Sequence, residues 1–145
     1  MNCNDRITDS EIPNFLNDLD VHLMGDYTWL LDSCLVYYSV ILGCTVTVPK
    51  GFATDLASVP RVPFIYEAWG NRAHREAVLH DYLYRAGAVP DCTRDQVDRV
   101  FLEAMESRGV KWSIRYPMYW GVRLGGWTAW KRKFCQNEDG QAFNT

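Results

Sequence analysis

The chain has no C-x-x-C pair, although it holds five cysteines: Cys3, Cys34, Cys44, Cys92 and Cys135. An odd, scattered set excludes the paired spacing of a zinc or dithiol redox motif. It points to reduced thiols, with a Cys34–Cys44 bridge across two strands as the alternative. No run of about 18 uncharged apolar residues occurs, which excludes a membrane-spanning helix. No apolar run follows a basic start, so no signal peptide is expected. No serine sits in a G-x-S-x-G setting, which argues against Ser58 as a nucleophile. Internal repeats and low-complexity segments are also absent. Acidic residues are missing from Arg108 to Lys133, where every charged side chain is basic.

What is present fits one folded domain. The 145 residues are 48% hydrophobic and 14% aromatic, enough for a real core and too apolar for disorder. A net charge of −3 and a pI of about 5.5 argue against a general nucleic-acid binder. Residues 1–25 are polar and acidic and read as an arm, 26–134 as a single α+β domain, and 135–145 as a tail.

Residues 27–48 are rich in β-branched and aromatic residues, punctuated by Asp32-Ser33 and Gly43. They predict a small antiparallel sheet, a meander, with Cys44, Val46 and Val48 on its buried face. Pro49 to Pro63 reads as a loop carrying Asp55 and Ser58. Asn71 to Ala86 predicts a helix capped by Asn71 and stopped by Gly87 and Pro90. Thr93 to about Arg108 predicts a second. Thr93 and Gln96 form its capping box, Gly109 stops it, and Val97, Val100, Phe101, Ala104 and Met105 make its apolar face. The short connection makes the two an antiparallel helical hairpin. Trp112 to Lys133 predicts an aromatic C-terminal helical segment, kinked or interrupted at Pro117, Gly121, Gly125 and Gly126.

The chemistry concentrates in His80-Asp81-Tyr82-Leu83-Tyr84. On a helix, His80 and Tyr84 project together while Asp81 stands about 100° around the axis. Asp98, bordering the apolar face of the next helix, is placed to accept from one ring nitrogen of His80 and leave the other free to take a proton from water. Asp81 can bind a hard cation such as Ca²⁺, with Asp55 as a further ligand or anchor. The competing reading is a structural polar pair at a helix crossing. His74 adds the letters of a His…His-Asp…Asp phosphohydrolase, but it lies only six residues before His80 on the same helix. The aromatics and cations of Trp112–Lys133 suit a membrane surface or an anionic partner, or else form core with the Arg and Lys solvated.

Two resemblances attach to these residues. Gly51-Phe52-Ala53-Thr54-Asp55-Leu56-Ala57-Ser58-Val59-Pro60 followed by His80-Asp81-Tyr82-Leu83-Tyr84 resembles a family of small proteins of tailed phages and prophages, over roughly Tyr27 to Trp130. It implies a phage-encoded protein, placed in the bacterial host cytoplasm or the virion, with phage structural proteins as partners. The helical pair is similar to prokaryotic phospholipase A2 over about residues 73–108, in His80-Asp81-x-x-Tyr84 and Asp98-x-x-Phe101. That resemblance implies a hydrolase with His80 as general base, Asp98 as its orienter, Tyr84 as hydrogen-bond support and Asp81 as a Ca²⁺ ligand. The cysteines that flank this motif in secreted phospholipases are absent, and the Asp55 loop stands where a glycine-rich calcium loop is expected. The alternatives are a virion or tail assembly component with a structural His–Asp network, and a host-interaction module docking through the basic, aromatic face around Arg115 and Arg123.

Overall fold

The computed structural model describes residues 12–54, 74–85 and 92–125. Six short strands come first: β1 (Asn14–Phe15), β2 (Val21–Met24), β3 (Thr28–Leu31), β4 (Leu35–Ser39), β5 (Cys44–Val48) and β6 (Ala53–Thr54). Three helices follow: α1 (His74–Arg85), α2 (Arg94–Ser107) and α3 (Trp112–Gly125). The α+β class and the order of sheet before helices agree with the sequence pattern.

The strands form two antiparallel three-stranded sheets, ordered β1-β4-β5 and β2-β3-β6, rather than one meander. Thr28 to Leu31 pairs back onto Val21–Met24 and forward onto Ala53–Thr54, not onto β4. Residues 14–15 and 21–24 of the acidic lead-in are therefore sheet partners. In β5, Val46 and Val48 are buried while Thr45 is exposed, the one-sided alternation expected of this strand. The β4–β5 turn closes through Gly43, whose φ of 63° is the left-handed conformation that glycine adopts without strain.

This register rules out the Cys34–Cys44 bridge. Leu35 pairs with Val48 and Ser39 with Cys44, so Cys34 and Cys44 sit at opposite ends of the hairpin. Cys44 and Cys92 are free thiols. Cys34 is disulfide-bonded, with the other half outside the described residues, which corrects the expectation of uniformly reduced thiols.

One core cluster joins Leu31, Leu35, Tyr37, Val46 and Val48 of the strands to Val78, Leu79, Leu83 and Tyr84 of α1 and Val97, Val100 and Ala104 of α2. A second joins Ala77, Phe101, Met105, Met118 and Val122 across the three helices. α1 lies between sheets and helices, so residues 76–84 are buried except for a half-buried Tyr82. Its expected cap, Asn71, lies outside the described residues.

α2 starts at the Thr93–Gln96 capping box, both of whose hydrogen bonds are present. It ends at Gly109, φ 72°, where the Val110 N–H returns to the Met105 carbonyl at 3.0 Å. α3 passes through Pro117 without interruption. Pro117 is exposed while Met118 and Val122 are buried, so packing of the inner face holds the helix despite the missing N–H donor.

Candidate functional site

α1 and α2 run antiparallel, which brings His80 over Asp98. His80 Nε2 lies 3.0 Å from Asp98 Oδ1. One turn along α1, Tyr84 donates its hydroxyl to the same oxygen at 2.5 Å. Arg123, from α3, donates to Asp98 Oδ2 at 3.1 Å. Arg94 stands 3.7 Å from Oδ2 and donates its Nε–H to the Tyr84 oxygen at 3.3 Å. The second nitrogen system of Arg94 is held by the carbonyls of Val122 and Arg123 at the end of α3.

The protonation states follow from this network. Asp98 is fully buried. Burial pushes its carboxyl up, but the hydrogen bonds from His80, Tyr84 and Arg123 outweigh that and hold it below the usual carboxylate range. Burial, and then the bond to Asp98, raise the Tyr84 phenol, so it remains a donor. An ionised carboxylate only accepts, so the His80 nitrogen facing it must be the one that carries hydrogen. In the neutral ring Nδ1 then holds the lone pair. Nδ1 is buried and has no hydrogen-bond partner among the described residues. The ring is 3% exposed and flanked by Tyr84 and Phe101, with centroids 4.3 and 4.9 Å away. A fixed tautomer with an unused acceptor is one of the two things a general base requires; the other, access for water, has to come from an opening of this buried ring.

Asp81 points elsewhere. Its Oδ2 accepts the Thr54 hydroxyl at 2.7 Å, tying α1 to the end of β6, and it is buried. Carboxylate and hydroxyl are hard oxygen donors, the kind Ca²⁺ prefers, but these two are fewer than the six to eight it takes. Among the described residues no group of three His, Cys, Asp or Glu side chains could hold a metal. Asp55 and Ser58 lie outside the described residues.

The structure thus brings together His80, Asp98 and Tyr84, and places Asp81 beside Thr54. His74 is exposed at the start of α1 and does not join the buried cluster. Sequence reasoning missed Thr54, Arg94 and Arg123 as members of the site. Arg94 was findable, four residues before Asp98 on one helix face. Arg123 was not, because only tertiary folding brings it across 25 residues to Asp98.

The solvated basic face expected at Arg115 and Arg123 is corrected. Arg115 bonds the Val110 carbonyl and Glu106, and Arg123 bonds Asp98. Both guanidiniums turn inward, while Trp112, Tyr116 and Trp120 are exposed rather than core.

Comparison with known proteins yields one family: the model of DUF1353, a protein of unknown function, matches residues 29–122. The match runs from β3 to the last turn of α3 and includes His80, Asp81, Tyr84, Arg94 and Asp98. Neither the curated proteins nor the solved structures provide a match.

Proposed function

The chain belongs to the DUF1353 family, and from its buried network we propose a hydrolase with a phospholipase-A2-like His/Asp site that cleaves an ester by attack of water. One observation carries this reading: His80 gives Nε2–H to an ionised Asp98 and keeps Nδ1 without a partner among the described residues. In the proposed reaction Nδ1 removes a proton from water as its oxygen bonds to the ester carbonyl carbon. The tetrahedral intermediate then collapses, the C–O bond to the alcohol breaks, and the imidazolium returns its proton to the departing alkoxide. Asp98 stabilises the imidazolium and fixes the ring, and Tyr84 holds Asp98. A Ca²⁺ ion at Asp81, with Asp55 as further ligand, would supply positive charge for the oxyanion.

The resemblance of the Gly51–Pro60 and His80–Tyr84 motifs to proteins of tailed phages is what supports a phage-encoded origin, action in the bacterial host cytoplasm or the virion, and phage structural proteins as partners. The exposed aromatics of α3 support a lipid surface. No helix among the described residues is long and apolar enough to cross a membrane. Burial of His80, Tyr84 and Asp98 together favours a second reading, a virion or tail assembly component in which the network is structural.

Fatty-acid release from phospholipid vesicles, and hydrolysis of a small soluble ester, with Ca²⁺ present, separate the two. The hydrolase reading expects turnover that falls by about 100-fold or more in His80→Ala. Wild-type protein without turnover on either substrate, or a His80→Ala variant as active as wild type, overturns it.

A further inference from the structure

Four large side chains, three of them aromatic, are exposed at every fourth position of α3. Trp112, Tyr116, Trp120 and Leu124 recur every four residues and are 72%, 43%, 57% and 82% exposed. They form one row about 18 Å long at 1.5 Å per residue. Met118 and Val122, on the opposite side, are buried in the core. The row is therefore not a displaced core face but a second apolar surface, and a contiguous one of this kind marks an interaction site.

The surrounding charge selects the occupant. α3 contains no Asp or Glu, and the chain has none from Arg108 to Lys133. Lys111 is exposed at the start of the helix. The Arg108 and Arg123 side chains keep 31% and 28% of their surface exposed while their heads pair inward. Arg115 is bound to Glu106 and stacks over the Tyr116 ring, 5.5 Å from its centroid. The three arginines are balanced by Glu76, Glu106, Asp95 and Asp98, so the charge this face offers is the exposed Lys111. Rings with apolar bodies and polar edges, on a helix without Asp or Glu and with a lysine at its start, match the boundary of an anionic bilayer, where Trp and Tyr lie at headgroup depth.

We propose that the solvent face of α3, through Trp112, Tyr116, Trp120 and Leu124, seats on an anionic lipid surface. This holds whether or not the His80 site is hydrolytic, and its test excludes turnover.

The full chain carrying His80→Ala is sedimented in EDTA with vesicles of phosphatidylcholine alone or mixed with phosphatidylglycerol. Binding is expected with the mixed vesicles, weakening as salt rises. Trp112→Ala/Trp120→Ala in the same background should weaken it at least tenfold while leaving the urea midpoint unchanged. Failure to bind mixed vesicles, equal binding to both compositions, or a double variant that binds unchanged overturns the proposal. So does a dimer, seen by analytical ultracentrifugation, that the double variant dissolves without loss of vesicle binding, because the face would then be a contact between copies.

Discussion

Arg123, in the last turn of α3, donates to the oxygen of Asp98 that His80 does not use. The buried carboxylate is thus satisfied from three helices, and α3 becomes part of the site. Arg123→Gln should lower stability by about 1–2 kcal/mol, a charge-assisted bond discounted for partial exposure. Arg123→Glu sets a second carboxylate against Asp98 and should cost about 3 kcal/mol or more. Urea unfolding measures both. The sign of the acid response also follows. The Asp98 carboxyl is lowered by its partners, so the stability it confers is present above its ordinary pKa of 3.8 and lost as pH falls through the lower folded value. In Arg123→Gln that loss begins at higher pH.

Tyr84→Phe separates support from chemistry. It removes the 2.5 Å hydroxyl donor to Asp98 with little change in shape. Stability should drop by about 1.5–3 kcal/mol, the range for a bond to a charged group. Under the hydrolase reading turnover falls less than in His80→Ala, whereas Asp98→Asn, which no longer dictates the His80 tautomer, falls by about 100-fold or more. Tyr84→Phe losing as much turnover as His80→Ala would contradict the assigned roles.

Glu76 predicts a pH dependence away from the site. It is fully buried on α1, neither carboxylate oxygen has a side-chain hydrogen-bond donor among the described residues, and Arg108 is 3.6 Å away. Burial pushes its carboxyl up to about 7 from 4.5. Between those values the folded chain holds a proton that the unfolded chain has lost. The contribution is therefore fully present below about 4.5 and is lost as pH rises through about 7, a change of about 3 kcal/mol. Glu76→Gln should flatten this slope in unfolding experiments from pH 5 to 8. A slope identical to wild type would show that Glu76 is not its source.

Glu103 fastens α2 to the first sheet. Its Oε1 accepts from Tyr37 at 3.0 Å and Ser39 at 2.8 Å, and its Oε2 from the Ile41 N–H at 3.1 Å. Glu103→Ala removes the acceptor shared by the Tyr37 and Ser39 hydroxyls, although Ser39 still accepts the Leu42 N–H, and should cost about 1–3 kcal/mol, measured as a shift in urea midpoint.

Elements defined by local chemistry were legible in the sequence. α2 shows this best: the Thr93 cap, the Gly109 stop and all five apolar-face residues fall where the pattern places them. The His80–Asp98 contact was legible too, because a short connection restricts the ways two helices can face each other; the Tyr84–Asp98 bond was expected only through the resemblance to phospholipase A2. Long-range choices were not. A hydrophobic strand such as Thr28–Leu31 does not encode which neighbour it pairs with, so one meander and two sheets share the same pattern. Pro117 favoured a kink because its cost is local, whereas the packing of Met118 and Val122 that holds α3 is tertiary. The inward turn of Arg115 and Arg123 was hidden for the same reason: long charged side chains are solvated by default, and only a buried acceptor overrides that.

Arg94 binds the carbonyls of Val122 and Arg123, groups that a helix end ordinarily leaves open. The tight turn at Gly109 secures the other end of α3. With these contacts near both ends, α3 cannot lift away without Arg94 releasing the Val122 and Arg123 carbonyls and Arg123 releasing Asp98. α2 and α3 therefore open as one cooperative unit, and slow amide exchange should extend through the final turn of α3. The grip of Asp98 on the His80 ring lasts only as long as that unit stays closed.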